Sequence, residues 1–145
     1  MGAGDRTDDR GSAVLEFIVV GLLVLIPIAY LVLSVMRVQA AVFASTQAVP
    51  EAGRAFVTAE SVPRAQQRAM SAARLAFADQ GFALPARALT VRCRPSACLS
   101  PGGAVDIEAS WDVPLPWLPA TFGEVASVPI TATHTVPVDT YRVAG

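Results

Sequence analysis

The sequence predicts an α+β protein: a single N-terminal transmembrane helix extended into a helical stalk, a second helix, then a small three-stranded antiparallel sheet. Three observations carry this. Twenty uncharged residues run unbroken from Phe17 to Met36. Small apolar residues recur at spacings of three and four between Pro63 and Asp79. From Ala88 onward the period changes to two.

Composition narrows the function classes. The 145 residues are 53% apolar and 16% charged, where ordinary soluble domains have about half and a quarter. The deviation is therefore missing charge. A formal net charge of −1 excludes a strongly basic nucleic-acid binder and an acidic disordered tail. One His and two Cys leave little for a metal site or a triad. No acid pair, nucleophile–base set or phosphate loop is visible either. These features point away from an enzyme, a cofactor or a small-molecule substrate, and towards a membrane-associated part.

The missing charge lies in the span. As a helix, Phe17–Met36 covers roughly 30 Å, the thickness of a hydrocarbon core. Gly21 and Pro27 would weaken a soluble helix but are tolerated in membranes, and Pro27 predicts a kink. A buried core helix of this length would normally carry a polar face. A secretory signal peptide is the stronger rival. Its apolar region is usually about 7 to 15 residues long, and this run is longer and ends at Arg37. Ala41-Val42-Phe43-Ala44 still offers an A-x-A-like site, so that reading stays open. Arg6 and Arg10 on one side balance Arg37 and Arg54 on the other, which leaves orientation by charge undecided.

Residues 1–11 are short, polar and rich in turn formers, and they read as a leader. Gly11-Ser12-Ala13-Val14-Leu15-Glu16-Phe17 then leads straight into the apolar run. Glu16 is the odd residue, because a carboxylate at the rim of a membrane helix is costly. It can complement the positive end of the helix macrodipole, worth about 0.3–1 kcal/mol, or it can answer a specific partner. The stretch resembles a type IV prepilin processing site in the form used by Flp/Tad pilus proteins. Such sites have a short polar leader, a Gly before the cut, Glu at the fifth mature position, an aromatic next, then a membrane helix. Counted from Ser12, Glu16 is fifth and Phe17 sixth. Ser12 is a departure, since many prepilins carry a larger residue there. The resemblance implies cleavage after Gly11 by a prepilin peptidase. It also implies that Glu16 pairs with the freed amine of a neighbouring subunit.

Residues 37–60 continue the helix, with Val38, Ala41, Val42 and Ser45 on one face and a break predicted near Pro50 by Pro50 and Gly53. Residues 61–81 form an amphipathic helix. Ser61 is its N-cap, Pro63 lies in its first turn and Gly81 is its stop. Ala65, Ala69, Ala72 and Ala76 line one side, beside Met70, Ala73 and Phe77. Arg64, Arg68 and Asp79 face water as a solvated surface.

Residues 88–145 form a β-rich extracytoplasmic region. Leu89, Val91 and Cys93 begin it. Val105 to Val113 alternate strictly over nine residues, and Ile130 to Val136 follow, bounded by Pro129 and Pro137. Cys93 and Cys98 are too few ligands for structural zinc. A disulfide closing the hairpin connection is the better reading outside the cytoplasm. In Pro114–Pro119, Trp117 and Leu118 either fold back on the sheet or form a contact surface. His134 falls on the apolar side of its strand and reads as a structural histidine.

The whole plan resembles the TadE-like family of pilus-assembly proteins, and the closing Pro137-Val138-Asp139-Thr140-Tyr141-Arg142 looks like the tail of actinobacterial members. The resemblance implies a pilin-like single-pass protein of the cell membrane, a minor pilin or pilus-assembly component of a Tad-type pilus or secretion apparatus. Its N-terminus would be cytoplasmic and its C-terminal region extracytoplasmic. The implied partners are the prepilin peptidase, other pilins and a Tad platform protein. The rival from another class is a secreted or membrane-tethered binding domain unrelated to pili.

Overall fold

The computed structural model describes residues 8–115 and 127–142, with side chains from Ser12 onward. The elements are α1 (Asp8–Val57), α2 (Val62–Asp79), β1 (Leu89–Arg94), β2 (Ala104–Pro114) and β3 (Ser127–Pro137). The chain divides into two compact units, Met1–Met36 and Arg37–Gly145.

In the first unit the apolar side chains of α1 point outward, with Phe17 80%, Leu23 68% and Leu31 65% exposed. A helix satisfies its own backbone, and such a surface suits hydrocarbon rather than water. The helix is long and apolar enough to cross a membrane.

The second unit is a helical layer on one face of a sheet. From Arg37 onward α1 buries Ala41, Ala44, Ser45, Ala48, Ala52 and Phe56, while Val42 is exposed. α2 buries Ala65, Ala69, Ala73, Ala76 and Phe77. Ala72 and Met70, placed on or beside that side from spacing, are only half-buried. Small residues on both helices let their backbones lie close to the core they share.

The break predicted near Pro50 is absent, and α1 runs through to Val57. Burial on both sides of the proline, at Val49 and Ala52, outweighs a propensity cost of about 3 kcal/mol for Pro. Gly53 is a packing residue rather than a stop. A Cβ there would lie 2.4 Å from Val136 Cγ2 of β3. Gly53→Ala is expected to destabilise the full chain by about 1–3 kcal/mol through overpacking. Its denaturant midpoint in detergent solution checks this, and an unchanged midpoint would refute the contact.

α2 starts and stops nearly as its sequence predicts. Ser61 takes the extended N-cap conformation, although its hydroxyl makes no capping bond. Ala65 N–H donates to the Ser61 carbonyl at 2.8 Å, the first bond of the helix. At the far end Gly81 has φ +76, with Gly81 N–H donating to Ala78 O and Phe82 N–H to Phe77 O. This is a Schellman stop, which needs the left-handed residue that glycine supplies most easily.

The sheet is antiparallel, in the order β1-β2-β3, with Val91 opposite Ile107 and Ile107 opposite His134. Val105, Ile107, Ala109 and Val113 of β2 are buried against the helices. The central strand thus receives the cover that its alternation predicts. Pro129 lies within β3 rather than bounding it, as an edge strand permits. His134 shares a face with Ile107 but is exposed, so it is not a core histidine. It sits on the edge strand β3, whose inward residues are less covered than those of central β2. Trp117 and Leu118 lie outside the described residues.

Trp111 joins the layers. Its ring centroid is 5.2 Å from those of Phe77 and Phe82. Its indole N–H donates to Ser45 Oγ at 2.9 Å, and that hydroxyl donates to the Ala41 carbonyl at 3.0 Å. The Arg37 guanidinium lies 5.0 Å over Phe82, a cation–π contact. The C-terminal segment closes the unit. The Arg142 guanidinium donates to Val57 O at 2.7 Å and also to Ala59 O, capping the carbonyl end of α1 with a positive charge.

Candidate functional site

The candidate processing site lies at the start of α1. The Gly11–Ser12 peptide is inside the helix, which begins at Asp8, although the leader reading alone would have started the helix near Ser12. A protease takes its substrate extended, so cutting here requires the first turn to open. Helix ends fray, so this opening costs little compared with unwinding the middle of the helix. Ser12 to Phe17 are all exposed. Glu16 lies one turn beyond Ser12, about 6 Å along the axis. Among the described residues it has no ion-pair partner. Any answering charge comes from the undescribed N-terminus or from another molecule.

The cysteines behave as the sequence predicts. Cys93 and Cys98 are disulfide-bonded, with their Cα atoms 5.2 Å apart. The bond closes the connection between β1 and β2 at the end where Gly103 must lie close. A Cβ on Gly103 would come within 3.0 Å of the Arg94 and Ser100 carbonyls. Leu99, directly after Cys98, is 9% exposed and has φ +65. That conformation is uncommon for a branched side chain, and core burial of the leucine accompanies it.

The outer face of the sheet holds a polar cluster that the sequence reading did not single out. Asp106 accepts bonds from Thr135 Oγ1 at 2.6 Å and Arg94 at 2.7 Å, while Arg92 and Glu108 lie 3.8 Å apart. Strict alternation placed these residues on the polar side, but the cross-strand register that unites them depends on loop lengths. The Thr135 hydroxyl first, then Arg94 and Arg92, hold the Asp106 carboxyl below its ordinary range, while burial acts the other way. A lowered folded-state value stabilises above the unfolded value of about 3.9, and that contribution is lost as pH falls through the folded value. Thr135→Val is therefore expected to be less stable than wild type at neutral pH. The gap should close below about pH 4, as read from denaturant midpoints across pH. A gap that persists in acid would show that the threonine acts through packing alone.

The cavities near these groups are open and shallow, and among the described residues no cluster of His, Cys, Asp and Glu could hold a metal. A groove of about 520 Å³ lies between α1 and α2 and is lined by polar and apolar residues, Thr46, Pro50, Glu51, Ala72 and Leu75 among others. Comparison of the chain with family models, curated proteins and solved structures gives no match.

Proposed function

We propose that this chain is a minor pilin or pilus-assembly component of a Tad-type pilus or secretion apparatus. In this reading a prepilin peptidase processes it after Gly11, and the apolar part of α1 anchors it in the membrane. The observation that carries the reading is the position of Glu16. It is the one acid between Gly11 and Glu51, it is exposed on α1, and it falls fifth after the candidate cut.

The chemistry follows from the new terminus. Cleavage frees an α-amine on Ser12, with a reference pKa of about 7.7–8.0, so it is mostly cationic at neutral pH. An amine and a carboxylate in an apolar helix bundle each carry a desolvation cost, and pairing offsets part of it. Ser12 and Glu16 lie one turn apart. A neighbour displaced along the axis by about 6 Å therefore brings its amine to this carboxylate, and the pair sets the stagger between subunits. The disulfide supports an extracytoplasmic location for residues beyond the span.

The test is the mature N-terminus of the protein isolated from its native host. Mass spectrometry is expected to find Ser12 first. An intact Met1 would leave a plain membrane anchor, and a start near Ser45 would indicate a signal peptide. Either result overturns the proposal.

A further inference from the structure

One face of α2 is complementary to itself. Arg68, Ala72, Leu75 and Asp79 follow at intervals of four, three and four, so they share a stripe along the helix. The stripe lies beside the buried side formed by Ala65, Ala69, Ala73 and Ala76. Leu75 is 65% exposed although it is large and apolar. Ala72 is half-buried, at the edge of the 520 Å³ groove between α1 and α2. Among the described residues, Arg68 and Asp79 have no ion-pair partner.

The stripe has the same spacing in both directions. An antiparallel copy centred between Ala73 and Arg74 sets Leu75 of each chain over Ala72 of the other. It also sets each Arg68 opposite the other chain's Asp79. A parallel pairing in register would instead put arginine on arginine and aspartate on aspartate. The charges therefore select the antiparallel arrangement, and a two-fold axis repeats each contact.

We propose that α2 is a homotypic docking helix: two copies of this chain pair antiparallel through Arg68, Ala72, Leu75 and Asp79. Each Leu75 enters the partner's groove above Ala72, where a small side chain lets the helices approach to about 8–10 Å. The Arg37 ends of the two second units then lie at opposite ends of the pair. A contact between two 18-residue helices is small against the roughly 800 Å² per partner of stable interfaces. A single pair is accordingly weak.

Sedimentation velocity of the uncut full chain in detergent solution, over a concentration series, tests this without depending on cleavage at Gly11. Wild type is expected to pass from one copy to two as concentration rises. Arg68→Asp alone, or Asp79→Arg alone, should pair about tenfold more weakly, because two attractions become two repulsions. Mixing the two variants should restore pairing. The introduced aspartate of one chain then meets the introduced arginine of the other, and the retained Asp79 meets the retained Arg68. That recovery also shows that both variants are folded. A wild type that stays a single copy, single variants that pair like wild type, or a mixture that stays unpaired would each overturn the proposal.

Discussion

Trp111→Ala is expected to lower the stability of the second unit by about 3–5 kcal/mol, the range for removing a large aromatic from a core. The indole packs against Phe77 and Phe82 and bonds to Ser45, so one substitution loosens α1, α2 and β2 together. Ser45 is fully buried, and its hydroxyl keeps only the bond back to Ala41. Trp111→Phe separates the contributions. It keeps most of the ring packing and loses the hydrogen bond, worth about 1 kcal/mol. Denaturant unfolding of the full chain in detergent, followed by circular dichroism, measures both. Equal losses for the two variants would mean that the hydrogen bond, not the packing, holds the layers.

Glu16→Ala is expected to leave membrane insertion intact and to suppress assembly. Removing a carboxylate from the span's rim makes insertion easier. In the proposed pilin bundle the same change leaves the neighbour's amine without its counter-charge, a penalty on the order of 3–5 kcal/mol for a buried pair broken on one side. Subunit incorporation should fall by about a hundredfold or more, as read by immunoblotting of sheared filaments against the membrane fraction. Glu16→Gln, similar in shape but uncharged, should behave like the alanine variant. Normal incorporation of the glutamine variant would remove charge pairing from the account.

The elements were legible where periodicity is strong. Val105–Val113 alternates without a fault and became the central strand, and the small residues of α2, closed by Gly81, marked that helix within two residues of its observed bounds. Pro50 and Gly53 misled because local rules read both as breakers, whereas their roles are tertiary. Gly53 is required by Val136, a residue 83 positions away that no local window contains. His134 lies on the predicted side of its strand but is exposed. Alternation shows which side of a strand a residue occupies, but not how far the covering helix reaches. The disulfide followed from the short Cys spacing within a predicted hairpin. The Asp106 cluster and the Arg142 cap did not, because each depends on pairing across the sheet or on a side chain from the last described residues of the chain.

The Arg142 cap has a consequence for biogenesis. The carbonyls it satisfies belong to Val57 and Ala59, and its bonds close sequence separations of 85 and 83 residues. Synthesis delivers α1 well before its capping guanidinium. β2 likewise waits for β3, its partner along its full length. Until both arrive, β2 keeps an open edge and the carbonyl end of α1 stays uncapped. Closure of the second unit therefore follows the synthesis of β3 and Arg142 rather than that of the helices.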